Sequence, residues 1–406
     1  MKKNDSGLIR KNSPVIRELL EKHPAYFGEL LKQLNRRNIQ IIYTQIDRDE
    51  NNNPRFTDHT FYPDSIQYFY PASTVKLPTA ILALQKLNEL GIEGVDRQAA
   101  MITEADYSGQ TPTFNDPQSD DGRPTVANYI RKIFLVSDND AFNRLYEFLG
   151  QQYLNIELHK RGYDSAQIIH RLEISLSPGE NRHTNPVKFL DGMGNILYSQ
   201  PLQNNQQAFF AERNEKLGEA YYKNGELIKM PMDFSLKNRL SLSDLHHILR
   251  SVMFPDNVPE NQRFNLTTDD YNFLYRYMSA MPSESIHPSY DAENYWDAYV
   301  KFLLFGSEKK RVPPSIRIFN KVGDAYGQLI DAAYIVDFKN NVEFFLSAAI
   351  NCNTNNILND DVYDYDTIGL PFMKHLGEVI YQYELQRERT VVPDLSNFAI
   401  DYSKAY

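Results

Sequence analysis

The stretch YPASTVKLPTAILALQKL, residues 70–87, decides how the rest of the chain is read. Val75, Leu77, Ile81, Leu84 and Leu87 recur at helical spacing and continue to Leu90, so the pattern predicts an amphipathic helix over 73–90. Pro78 falls in its first turns, where a missing N–H costs least. Ser73 and Lys76 stand three residues apart where this helix begins, so their side chains share a face and the amine can reach the hydroxyl. A helix N-terminus adds positive potential, which favours a developing oxyanion. A desolvated lysine near other cations gives up its proton more readily and can serve as a base. S-x-x-K alone is a common string; it recurs as Ser307 to Lys310, in a charged stretch with no helix start.

Outward from this helix, periodicity predicts helices over 125–136 and 139–149. Ser137-Asp138-Asn139 lies at their junction; all three residue types cap helices, so capping competes with chemistry as its explanation. Toward the C-terminus, 315–321, 328–337 and 342–351 read as strands. K-x-G occurs at Lys160, Lys216, Lys223 and Lys321, but only Lys321 ends an apolar strand and precedes another. A strand edge there would present backbone N–H groups and an ammonium to a bound acyl group. At the other end, 14–36 reads as a helix, 39–46 as a strand and 56–62 as its return. Between these ends, 108–124 and 174–186 read as loops. Residues 205–232 carry the hairpin signal Asn224-Gly225. Helices are predicted over 241–253, 267–281 and 371–386. The strands thus lie at the two ends, and the middle is expected to be mainly helical.

Composition limits the function classes. The 406 residues carry 43 Lys and Arg against 53 Asp and Glu, a net charge of −10, which argues against nucleic acid and against a polybasic membrane surface. No run of 18 apolar residues marks a membrane span. The lone Cys352 follows an apolar run and is expected to be a buried small hydrophobe. His246-His247, in an apolar helix, are expected to pack rather than bind metal. No G-x-S-x-G, H-E-x-x-H or G-x-x-x-x-G-K motif is present. The polar start MKKNDSGLIRKNSP is no signal peptide as it stands; it fits the stub of a removed secretory or lipoprotein leader.

The order S-x-x-K, S-D-N, K-x-G resembles that of class A β-lactamases and penicillin-binding proteins. GRPTVANYIRKIFLVSDNDAFNRLYEFLG, residues 122–150, resembles the family's helical stretch around its S-D-N. Arg171-Leu172-Glu173, with Pro178 to Arg182 and Thr184-Asn185-Pro186, resembles the class A omega loop; Glu173 lies 36 residues past Ser137. Pairing of Glu173 with Arg171 or Arg182 is the competing reading. The resemblance implies an α+β, two-lobed fold: an antiparallel sheet flanked by helices, plus a helical lobe. The single domain would span 14–386, with the sheet lobe from 14–70 and 312–386 and the helical lobe about 73–311. The hairpin near 205–232 would be an insertion, and 1–13 and 390–406 tails.

The resemblance also implies roles. Ser73 would be the nucleophile, Lys76 or Glu173 its base, Ser137 a proton relay, and Lys321 the cation that holds Ser137. Asn139 would orient the substrate amide, while Gly323 and Asp324 line the substrate, the Asp324 N–H forming the oxyanion hole with that of Ser73. Glu173 would activate the deacylating water and Ser177 hold it. No metal or cofactor is implied. The substrate would be a small molecule or peptide-like amide or ester, with β-lactams the family's own, and the location periplasmic or cell-envelope. An envelope peptidase or esterase, and a binding protein with a relict site, are the alternatives.

This sequence departs from the family pattern at three places. Val322 stands where the family has Ser or Thr, whose hydroxyl binds a substrate carboxylate. No arginine occurs between Lys321 and Arg387. Ile174 and Ser177 replace the proline and asparagine that follow the omega-loop glutamate. The 148 residues from Glu173 to Lys321 also exceed the family length, and insertions near 205–232 and 283–312 could wall the site or bind a partner.

Overall fold

The computed structural model describes residues 12–62, 68–209 and 215–403. Its centre is a five-stranded antiparallel sheet assembled from both ends of the chain. Strands β1 (Gln40–Arg48) and β2 (Pro54–Phe61) pair with β3 (Ile316–Ala325), β4 (Gln328–Asp337) and β5 (Val342–Asn351) in the order β3-β4-β5-β1-β2. The β1–β2 turn closes where Asp49 Oδ1 accepts the N–H groups of Asn51 and Asn53. Because side chains alternate across a strand, Tyr334 and Phe345 enter one core while Ile335 and Phe344 enter the other.

Helices cover both faces. On one lie α1 (Pro14–Glu21), α2 (Pro24–Leu31) and the C-terminal helix Leu370–Gln386. Sequence periodicity predicts one helix over 14–36, but three pieces form, the third being Leu34–Arg37. The break falls before Pro24, where His23 has φ −121° and ψ 59°, as expected for a residue that a following proline pushes out of the helical region.

The other face is covered by the helical layer. Its axis is α3 (Lys76–Leu90), preceded by a 3₁₀ turn over Ala72–Val75. Around it lie α4 (Val126–Val136), α5 (Asn139–Leu149), α6 (Gln151–Lys160), α7 (Leu242–Met253) and α8 (Thr268–Ser279). Ser241 caps α7 through the Asp244 N–H, and the buried His246 bonds Thr44 and Ser347, a packing role. Cys352 is fully buried.

The middle of the chain is less helical than its periodicity predicts. Ala100–Thr103, Val187–Leu190 and Ile196–Gln200 form a small antiparallel sheet. Asp191 makes its turn by accepting the N–H groups of Met193 and Asn195, a local side-chain turn that hydrophobic periodicity does not register. The hairpin forms at Asn224-Gly225, joining Ala220–Lys223 to Glu226–Ile228; positions 210–214 of that insertion lie outside the described residues.

Residues 390–403 do not trail free. Phe398 is 4% exposed, and its ring packs against Phe254, Tyr275, Phe319 and Tyr334. The polar residues around Phe398 hide it from a periodicity search. Among the described residues no helix is long and apolar enough to cross a membrane.

Candidate active site

The site forms where the turn before α3 meets the edge strand β3. Ala72 adopts φ +47°, a left-handed conformation unusual for a residue with a Cβ, and the 3₁₀ turn then carries Ser73 to the start of α3. Tyr70 and Ala72 belong to a small buried cluster with Phe234 and Leu358; the Tyr70 and Phe234 rings lie 5.8 Å apart. Phe234, just past the hairpin, therefore supports the approach to Ser73, a role that no sequence motif announces.

Gly323 explains the glycine of K-x-G. A Cβ there would lie 2.8 Å from Pro71 O and 3.0 Å from Ser73 N. Only a bare Cα lets β3 come this close to the Ser73 turn.

Capping and site geometry are the same fact at Ser137-Asp138-Asn139. Ser137 ends α4 in a left-handed conformation at φ +61°, its N–H bonded to Ile133 O at 3.1 Å. Asp138 caps α5 by accepting the Ala141 N–H at 2.7 Å. The two caps turn the chain so that Ser137 and Asn139 face Lys76.

Lys76 is fully buried. Its Nζ lies 2.8 Å from Ser73 Oγ, 2.6 Å from Asn139 Oδ1 and 3.3 Å from Ser137 Oγ, and it also bonds Ser137 O. Burial, reinforced by the charge of Lys321, pushes its pKa well below the usual lysine range. Lys321, 2% exposed, donates to Ser137 Oγ at 2.7 Å and to Val322 O at 3.0 Å. Burial lowers its pKa to about 7, with Asp324 and Asp331 pulling the other way. Ser137 Oγ thus sits between two amines.

Glu173 does not pair with Arg171 or Arg182. It is exposed, at φ +61°, and its Oε2 accepts the Asn139 Nδ2 at 2.7 Å. Arg171 instead bonds the buried Glu147 at 2.8 Å, and Arg144 bonds the same carboxylate at 2.9 Å. Asn143 holds the loop from both sides of one residue, giving its amide to Leu172 O and accepting the Leu172 N–H. These anchors on α5 bring Glu173 to Asn139, and neither was legible from spacing.

Ser177 has a different duty from the one implied by the resemblance. Its hydroxyl caps Pro178–Arg182 and bonds Glu180 at 2.7 Å in a reciprocal capping box. Val322 is 2% exposed and Asp324 is exposed at the end of β3. The structure thus joins Ser73, Lys76, Ser137, Asn139, Glu173 and Lys321 by hydrogen bonds, sets Gly323 against the Ser73 turn, and commits Ser177 elsewhere. No cluster of metal-ligating side chains is present among the described residues.

The fold and site define a serine-centred α+β enzyme architecture of the β-lactamase and transpeptidase type. The model of the β-lactamase enzyme family matches residues 27–254, more than half of the chain. The chain belongs to this family, and that membership supports a hydrolase. Among solved structures, PBP-A is similar at 14% identity and a TM-score of 0.50, over 90% of this chain and 95% of that one. A β-lactamase from Chitinophaga pinensis is similar at 12% identity and a TM-score of 0.49, over 91% and 99%. A comparison with curated proteins gives no match.

Proposed function

We propose that the protein hydrolyses an amide or ester through an acyl-enzyme on Ser73. The observation that carries this reading is the Lys76 amine, 2.8 Å from Ser73 Oγ and depressed in pKa by burial. A neutral amine has two N–H groups and one lone pair. Ser137 O and Asn139 Oδ1 take the two donors, which leaves the lone pair for the Ser73 O–H. Ser73 Oγ attacks the carbonyl carbon as its proton passes to Lys76 or, through a water, to Glu173. The N–H groups of Ser73 and Asp324 receive the oxyanion. Ser137 then protonates the leaving nitrogen or oxygen and recovers a proton from Lys76, which holds the one taken from Ser73 either directly or by return from Glu173. Water adds to the acyl carbon with Glu173 as base, and the acid product leaves with Ser73 restored.

β-Lactams are the substrates that the family suggests, and the cell envelope the location. Val322 favours a second reading, a non-β-lactam amide or ester, because a buried valine cannot donate to a substrate carboxylate.

Intact-mass spectrometry after incubation with penicillin G, alongside a Ser73→Ala control, tests the proposal. A transient mass gain with consumption of free penicillin supports a β-lactamase; a persistent gain supports acylation with slow release. If penicillin leaves no mass gain but a fluorophosphonate labels Ser73, the second reading takes over. Failure of both reagents would overturn the acyl-enzyme mechanism itself.

A further inference from the structure

The helical layer carries a cleft of about 920 Å³ that the Ser73 chemistry does not use. It opens between α3, α6 and the paired strands His183–Thr184 and Gln203–Asn204. Lys86 in its floor is ten residues beyond Lys76 on α3, about 15 Å along a helix that rises 1.5 Å per residue. The cleft is therefore distinct from the site above.

Its floor is already satisfied. Lys86 donates to Phe148 O at 2.6 Å and to Gln200 Oε1 at 2.8 Å, and lies 5.5 Å from the centre of the Tyr153 ring. The rim is not. Among the described residues, the side-chain amides of Gln152, Gln203 and Asn204 and the guanidinium of Arg182 have no partner. Thr184 is 1% exposed, lines the cleft, and its hydroxyl is likewise unpaired. A buried hydroxyl without a partner is costly unless a ligand supplies one. Gly150, at φ +75°, leaves the room: a Cβ there would lie 2.2 Å from Gln203 Oε1.

The lining selects a ligand class. Side-chain amides both donate and accept, and so match the hydroxyls of a sugar. The half-buried Tyr198 and Tyr153 also line the cleft, and a tyrosine ring packs well against the C–H surface of a sugar. A free guanidinium forks a carboxylate. An apolar ligand would strand the amides. A polyanion would meet Glu89 and Glu157 with only one unpaired cation, since Lys160 is held by Glu157 at 2.7 Å. We infer that this cleft binds an oligosaccharide that carries a carboxylate, with Arg182 on the carboxylate and Tyr198 against a sugar ring. Such a site would hold the enzyme on a polymer independently of the reaction at Ser73.

The test applies the full chain to an array of uronic- and sialic-acid oligosaccharides with their neutral counterparts, followed by calorimetry on the best binder. The expected result is retention on acidic spots, weakened tenfold or more by Arg182→Met and by Tyr198→Ala. The Gln152→Ala variant, on an exposed amide, should weaken binding while leaving the melting temperature unchanged. All three should acylate Ser73 at the parent rate, which separates this site from the proposed reaction. No spot above background, equal retention on neutral spots, or unchanged binding by Arg182→Met would each overturn the inference.

Discussion

Lys321 donates to Ser137 as a charged ammonium only while protonated, and burial lowers its pKa to about 7. A free lysine stays charged to about pH 10.4. The sign follows: the positive charge beside Ser137 is present below pH 7 and is lost as pH rises through that value, leaving only the weaker donor of a neutral amine. The acylation rate should therefore fall on the alkaline side near pH 7, while Lys76, whose pKa burial pushes well below the usual lysine range, must lose its proton and gives an opposing limb that rises with pH. Acylation rates measured from pH 5 to 9.5 check this; a rate still level at pH 9 would remove Lys321 from the role. Gly323 gives a steric counterpart. Gly323→Ala would place its Cβ 2.8 Å from Pro71 O, forcing β3 and the Ser73 turn apart. Overpacking of this kind costs about 1–3 kcal/mol, and acylation should slow by at least tenfold in stopped-flow, with a lowered melting temperature.

At the level of elements, the 171–185 loop depends on α5 more than on its own residues. Glu147, with 2% of its side chain exposed, receives both Arg144 and Arg171. Removing it leaves two guanidiniums buried without their shared anion, at a cost of about 3–5 kcal/mol. Glu147→Ala should lower stability in urea by that amount and slow deacylation more than acylation, because Glu173 loses its placement against Asn139. Equal loss in both steps, read by burst kinetics, would show that the loop does not act through Glu173.

For the molecule as a whole, the C-terminal segment closes the core between β3, β4, α8 and Phe254 at the end of α7. Phe398 meets four aromatic rings there and is 4% exposed. Truncating a buried phenylalanine costs about 3–5 kcal/mol. Phe398→Ala should therefore shift the urea midpoint strongly, whereas a segment merely trailing in solvent would leave it unmoved.

Local order is what the chain encodes most plainly. The spacing of Ser73 and Lys76, the caps at Ser137-Asp138, the hairpin at Asn224-Gly225 and the alternation within 316–351 are each set by neighbours a few residues apart, and each was legible in one dimension. The break at Pro24 was also written locally, though the longer periodicity across 14–36 masked it. Other features depend on partners far along the chain. Glu173 meets Asn139 because Glu147 and Asn143 pin its loop, Ser177 turns to Glu180, and Phe234 braces Tyr70 across more than 160 residues. Such contacts are chosen by packing among sequence-distant groups, and no spacing rule records them. Strand context already singled out Lys321 among the four K-x-G strings, but only the folded chain, by closing β3 onto the Ser73 turn, decided that Gly323 lies so near the serine that a Cβ there would come within 3.0 Å of Ser73 N.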